Sequence, residues 1–301
     1  MEISALGYVG FRTPEYEAWA DFGPRVLGLQ AGRRGADGTV YLRMDDRHHR
    51  LAFHPGERSE LAYMGWELRS RVQFRDALAE LDARAIPYEH GTAAEMNDRR
   101  VTGMAHLTDP GGFRHELFYG QEFEHLSFLP GRPLSGFLAG ELGVGHVVCA
   151  VPEATEEHLN FAVDVLGFKI LSTAMIRVLN RSPRMGEFYR CNPRTHCLGL
   201  VSMAGLQGMT HFCIETLSID DVGRALDIIL AENQPLQRTL GRHTLDGFVS
   251  FYARGPGDIT FEYGAGGDLL TDDQVSVRPD KSEVWGHKFL ITEPPTTLRK
   301  V

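Results

Sequence analysis

The chain repeats itself, and the repeat constrains its fold more than any other feature. Residues 62–87, AYMGWELRSRVQFRDALAELDARAIP, align with residues 210–235, THFCIETLSIDDVGRALDIILAENQP. A constant offset of 148 places Ala77 on Ala225, Leu78 on Leu226 and Pro87 on Pro235. Each copy reads as a strand, a polar turn and apolar residues at helical spacing. Ser218, followed by Asp220 and Asp221, marks a helix start, because its side chain can cap free N–H groups and the acids suit the dipole. A second pair is GYVGFRTPEYEAWADFGPRVLG from Gly7 and GHVVCAVPEATEEHLNFAVDVLG from Gly145. Both run from a short apolar strand through a Pro-Glu turn and an amphipathic helix to Val-Leu-Gly, where Gly28 and Gly167 stop the helix. The two halves also close alike. DPGGFRHELFYG (109–120) matches GPGDITFEYGAG (255–266) and puts Glu116 on Glu262.

Strand-like runs such as VYLRM (40–44) and RLAFH (50–54) follow the helices. The expected fold is therefore α+β: four βαβββ modules at about 1–57, 58–120, 141–206 and 207–266, paired into two domains. Each domain is expected to be a curved mixed sheet around a cavity. Residues 1–120 make the first domain, 121–140 a connection rich in Gly, Pro and Leu, 141–266 the second domain, and 267–301 a tail. A length of 301 residues and 33 glycines agree with two domains of short strands and tight turns.

Composition removes several function classes. A formal net charge of −9 without a Lys/Arg run disfavours nucleic acid and anionic membranes as partners. No signal peptide and no apolar run of about 18 residues is read from the sequence. The four cysteines, Cys149, Cys191, Cys197 and Cys213, do not resemble a disulfide scaffold, and reduced thiols in a cytoplasmic protein are expected.

In the second half the first strand of each module and the last strand offer His146, His211 and Glu262; the aligned positions of the first half are Tyr8, Tyr63 and Glu116. One copy can hold a metal and the other has lost both imidazoles. Two histidines and a carboxylate on one face of an octahedron leave positions open for substrate and oxygen, an arrangement typical of non-haem Fe(II) oxygenases. Mixed nitrogen and oxygen ligation suits Mn(II) equally. Singly, each histidine reads as an ordinary residue of a half-buried strand; the matching carboxylate makes coincidence harder. His196, His243 and Tyr252 also fit an oxygenase. His48-His49 follows Asp45-Asp46 and reads as a solvated turn. Cys213, near His211, reads as a buried strand residue and not as a nucleophile.

The segment 241–264 resembles the type I extradiol ring-cleaving dioxygenases of the vicinal oxygen chelate superfamily. Their motif, Gly-x-His, a spacer, apolar-Tyr, a Pro turn and a metal-binding Glu, is met by Gly241, His243, Phe251-Tyr252, Pro256 and Glu262. Gly255 and Asp258 depart from it, both in the turn. The resemblance covers nearly the whole chain, including WGHK at 285–288, and is closest to members acting on bicyclic catechols.

It implies cleavage of a catechol beside the diol by O2 at one Fe(II) or Mn(II), in a homo-oligomer. It also implies that His196 is the acid/base, and that His243 and Tyr252 bind the catecholate oxygen. Asp246 either positions His243 or caps a turn. Val148, two residues from His146, should face the cavity. The resemblance adds Met175 and Phe188 to an apolar wall. With no Arg or Lys among these wall residues, carboxylated catechols are expected to be poor substrates. Two rivals share the fold: a glyoxalase-like metal isomerase or lyase, and a non-enzymatic small-molecule binding protein.

Overall fold

The computed structural model describes residues 1–176, 184–271 and 281–301; the side chains of 172–176 and 184–185 lie outside the description. Four similar units follow one another along the chain. The first holds β1 (Ala5–Thr13), a helical stretch containing α1 (Trp19–Phe22), β2 (Gln30–Ala31), β3 (Val40–Arg43) and β4 (Leu51–Pro55). The second holds β5 (Glu60–Glu67), α2 (Arg71–Ala83), β6 (Glu89–His90), an inserted α3 (Ala93–Arg99), β7 (Gly103–Thr108) and β8 (Arg114–Tyr119). In the third are β9 (Gly145–Val151), α4 (Glu156–Asn160), β10 (Lys169–Ile176), β11 (Arg184–Arg190) and β12 (Leu198–Ser202). The fourth has β13 (Leu206–Thr216), α5 (Ile219–Ala231), β14 (Leu236–His243), β15 (Val249–Arg254) and β16 (Thr260–Ala265).

Local chemistry explains the helices. Ser70 caps α2 by accepting from the Gln73 N–H, and Phe74, Ala77, Leu78 and Leu81 bury one face. Ser218 caps α5 in the same way through Asp220, and Val222, Ala225 and Ile229 face inward. Gly28 and Gly167 end their helical stretches at φ of 76° and 74°, in the left-handed region where a Cβ is penalised.

Units pair to make two sheets. The first has the order β2-β3-β4-β1-β5-β8-β7-β6. The second runs β10-β11-β12-β9-β13-β16-β15-β14, and the C-terminal region extends it. Residues 281–301 are thus more than a tail: β17 (Glu283–Trp285) pairs with β14, and β18 (Leu298–Lys300) with β13. In both sheets the two units meet antiparallel, β1 against β5 and β9 against β13. Inside each unit the first strand lies parallel to the last, as in β9 with β12 and β13 with β16. First and last strands from both units are thereby gathered at the middle of the sheet.

One apolar core runs through both halves, where Phe11 and Trp19 meet Phe212 and Phe22 meets Phe261. From the 121–140 segment Arg132 donates to the Val26 carbonyl and to the Tyr263 hydroxyl, fastening the halves together. The solvated turn expected at His48-His49 is not found. Both imidazoles are buried, with Nδ1 atoms 2.9 Å apart, and His49 packs against Tyr8 and Tyr41. Asp45 is instead drawn into an ion pair with buried Arg50, and the His48 N–H donates to the Glu122 carbonyl. Among the described residues no helix is long and apolar enough to cross a membrane.

Candidate metal centre

Strand register builds the site. His146 on β9 pairs with Cys213 on β13, Cys213 with Glu262 on β16, Glu262 with Tyr252 on β15, and Tyr252 with Arg238 on β14. Paired residues on neighbouring strands show their side chains on the same face, so these five form one row across the sheet. His211 lies two residues from Cys213 and pairs with Val148, two residues from His146. Both therefore stand on that face, one step along.

Above this floor three donor atoms converge. His146 Nε2 is 3.0 Å from Glu262 Oε2 and 3.4 Å from His211 Nε2, and His211 Nε2 is 3.4 Å from the same Oε2. Two ligands about 2.1 Å from an ion and at right angles are about 3.0 Å apart, so the spacing fits three positions on one octahedral face. Hydrogen bonding at the far nitrogen of His211 suits the same purpose. The Thr210 hydroxyl donates to the Val148 carbonyl and so accepts from His211 Nδ1, at 2.9 and 3.0 Å. That leaves Nε2 with its lone pair toward the other donors. The remaining Glu262 oxygen, Oε1, accepts from Ser250 Oγ at 2.6 Å and lies 3.1 Å from His243 Nε2. Burial would raise the Glu262 carboxyl, but the close approach of His146, His211 and His243 holds it well below the usual range. Cys213 beneath the triad is buried; desolvation, then Glu262, raises its thiol, so it serves as a small neutral floor.

The matching place in the first sheet is already filled. Tyr8 donates to Glu116 at 2.9 Å, and Arg99 from α3 sets Nε and Nη2 3.1 and 3.0 Å from the two carboxylate oxygens. The same guanidinium lies 3.6 Å over the Tyr63 ring. A covalently attached cation stands there in place of an ion. Among the described residues, only His146, His211 and Glu262 form a compact group of metal donors.

The His196 ring lies 3.9 Å from the His146 ring, tilted by 30°, and edge-on to Phe188 at 4.9 Å. Asp246 does not contact His243 by a hydrogen bond, as one sequence reading expected. It accepts from Thr195 Oγ1 at 2.9 Å, and Thr195 in turn faces His196 Nδ1 at 3.3 Å. With its proton committed to Asp246, the hydroxyl can only accept from Nδ1–H, which leaves His196 Nε2 as the basic atom. Asp246 also accepts from the Phe248 N–H, so it caps a turn as well. Burial, reinforced by His146, lowers the His196 pKa well below 6.5.

His243 is tuned the other way. Its Nδ1 faces the Ser282 carbonyl at 3.3 Å, while Nε2 lies near Glu262 and 2.9 Å from the Tyr252 hydroxyl. Burial opposes its charge, but the bond to Glu262 together with the negative charges of Glu262 and Asp246 raises the pKa. Tyr252 is raised well above 10 by burial and then by Glu262, so its hydroxyl stays protonated.

These groups open on one cavity. Val148 and Phe188 line it as expected, together with Val201, Leu245 and Phe248. Met175 lies on β10, but its side chain is outside the described residues. Three contributors were not anticipated. Ser250 sits two residues before Tyr252, where strand alternation would have placed it on the site face. His287, from the WGHK stretch, points Nε2 at Ser250 and lies 4.2 Å from the His243 ring. Arg238 lines the cavity, which corrects the expectation of a wall without a cation.

Comparison with known proteins agrees with this geometry. Residues 6–56 match the family model described as dihydroxybiphenyl dioxygenase BphC D1. Residues 143–263 match the glyoxalase/bleomycin resistance protein/dioxygenase superfamily. The chain is 34% identical to an iron-dependent extradiol dioxygenase of Rhodococcus jostii (strain RHA1), over 98% of this chain and 100% of that protein. It is 36% identical to biphenyl-2,3-diol 1,2-dioxygenase of Paraburkholderia xenovorans (strain LB400), over 96% of each. A solved structure of BphC, a halotolerant catechol dioxygenase, superposes with a TM-score of 0.92 at 35% identity, covering 99% of both chains.

Proposed function

The chain belongs to the extradiol dioxygenases of the glyoxalase/dioxygenase superfamily, and from that membership we propose how its residues share the work and which catechols it takes. The activity is oxidative cleavage of a catechol beside the diol. Iron is the metal, as the name of the Rhodococcus relative indicates, and the three donors suit it; the same donors accept Mn(II). His146, His211 and Glu262 hold it. Bound there, the ion supplies a chelation point for both diol oxygens and a route for electron density to O2.

The protein residues divide the proton chemistry. His196, neutral at pH 7 with a free Nε2, receives a proton from the entering diol and returns one as the ring opens. His243 and the protonated Tyr252 donate to the catecholate oxygen on the opposite side and fix the ring's tilt. Asp246 acts through Thr195 to keep His196 in the useful tautomer. Ser250, backed by His287, holds the other oxygen of Glu262, so that Oε2 stays turned to the ion.

Val148, Phe188, Val201, Leu245 and Phe248 make an apolar wall suited to a hydrophobic substituent beside the diol. A buried methylene contributes about 0.8 kcal/mol, so a second ring or an alkyl chain should bind better than hydrogen. The reading of residues 1–120 and 141–266 as two domains joined by 121–140 is part of the proposal, supported by the two sheets. So is a cytoplasmic homo-oligomer, supported by four free thiols and by exposed Val284, Trp285 and Leu290.

The observation that carries the assignment is the mutual 3.0–3.4 Å spacing of the three donor atoms. Anaerobically reconstituted protein should take up one O2 per 2,3-dihydroxybiphenyl and release a yellow product, and prefer it to bare catechol. Isomerisation of a thiol adduct without oxygen uptake would assign the site to the lyase branch of the fold instead.

A further inference from the structure

Arg238 is a buried cation with no counter-ion among the described residues. It is 8% exposed, and among the described residues its guanidinium makes no ion pair and its Nε no hydrogen bond. Its contacts are the faces of two rings, Tyr252 at 4.4 Å and Phe289 at 4.2 Å. Register places it in the same row as His146, Glu262 and Tyr252. Two strand spacings, about 10 Å, separate its backbone from that of Glu262. Burying a charge without a partner is costly, so a guanidinium kept this way has its partner elsewhere.

The carboxylates of the cavity wall are not that partner. Glu262 is engaged by His146, His211, His243 and Ser250. Asp246 is taken by Thr195 and the Phe248 N–H, and Glu283 accepts from Ser282. Their negative charges work against an entering anion, so any preference for one must come from direct contact with the arginine. Contact with the two ring faces limits the guanidinium's motion and pre-orders its remaining N–H groups. A planar two-oxygen acceptor is the ligand such a fork fits best.

We propose that Arg238 forms an anion subsite at the β14 end of the cavity, and that the enzyme accepts catechols whose ring carries a carboxylate reaching past Tyr252. This rests on the assignment of the cavity as the catechol site. The apolar wall over β9, β11 and β12 takes the hydrophobic edge of the ring, and the arginine takes the charged substituent.

The test compares each acid with its methyl ester: 3-(2,3-dihydroxyphenyl)propanoate and protocatechuate, in wild type, Arg238→Met and Arg238→Lys. Two readouts are taken with the iron-loaded enzyme: kcat/KM in air, and calorimetric Kd without oxygen. Using the acid-to-ester ratio cancels any general damage to the site. Losing a buried hydrogen bond to a charged group should lower that ratio roughly ten- to hundredfold in Arg238→Met for at least one pair, with partial recovery in Arg238→Lys. An acid-to-ester ratio that is the same in wild type and Arg238→Met, by both readouts and for both pairs, overturns the subsite. Failure of the underlying assignment looks different: no catechol, acid or ester, is then opened, while the binding ratio still decides for or against Arg238. Should Arg238→Met not fold, Arg238→Gln replaces it in the same comparison.

Discussion

Replacing His196 by Gln removes the proposed proton carrier with little change of shape. The amide keeps most of the imidazole volume, so packing against His146 and Phe188 survives. None of the three converging metal donors is touched. What is lost is a neutral base whose Nε2 is freed by the Asp246, Thr195 and Nδ1 sequence of hydrogen bonds. General acid–base groups contribute about 10²–10⁴-fold, which corresponds to roughly 2.7–5.5 kcal/mol of barrier. His196→Gln should therefore lower kcat for 2,3-dihydroxybiphenyl at least about a hundredfold. Metal content and the anaerobic Kd should stay near wild type. Because burial depresses the His196 pKa below 6.5, the base form persists as pH falls through 6.5, and the wild-type rate should hold there. Steady-state oxygen uptake, iron analysis and anaerobic titration of the same samples check each part. Turnover within a few-fold of wild type, or loss of activity tracking loss of iron, would falsify the acid/base role.

Ser250→Ala removes the hydroxyl on Glu262 Oε1 and should weaken metal affinity about 10–100-fold, read by competition with a chelator; unchanged affinity contradicts the orienting role. Arg99→Met removes the two-pronged cation from buried Glu116 and leaves it Arg114 and Tyr8; it should cost about 1.5–3 kcal/mol in urea unfolding, while turnover per bound iron is preserved. The buried histidines set an acid limit. Burial first, and then His48, lowers the His49 pKa well below 6.5, and His48 is lowered by burial too. A depressed folded pKa means that stability is complete above the unfolded value near 6.5 and is lost as pH falls toward the folded value. The Tm should drop between pH 7 and 5, and less steeply in His49→Gln; equal slopes would remove these imidazoles as the cause.

The internal repeat carried most of the architecture, because helix caps, glycine stops and strand alternation recur at a fixed offset. Metal donors were legible for the same reason: His146, His211 and Glu262 occupy repeat positions where Tyr8, Tyr63 and Glu116 stand in the other half. What was misread depended on contacts between distant segments. His48-His49 looked solvated beside two acids, yet Arg50 neutralises Asp45 and the 121–140 segment covers the turn through the Glu122 carbonyl. Arg238 and His243 are an odd number of residues apart, which in an ideal strand sends them to opposite faces. Two register irregularities in β14, flanking Arg238, break that alternation and bring both to the cavity. For Asp246 the sequence offers a turn cap or a contact with nearby His243; it caps the turn at Phe248, and its other partner, Thr195, comes from another unit. The contribution of His287 depends on a left-handed residue at φ 49° near β17, a placement without local signal.

We propose that one ion is held by His146, His211 and Glu262, and that Arg99 stands in its place in the other sheet. Iron per chain is to be measured on anaerobically loaded and desalted wild type, His211→Ala and Glu116→Gln. About one iron is expected in wild type and in Glu116→Gln, and essentially none in His211→Ala. Full iron in His211→Ala, or iron lost with Glu116 alone, would contradict it.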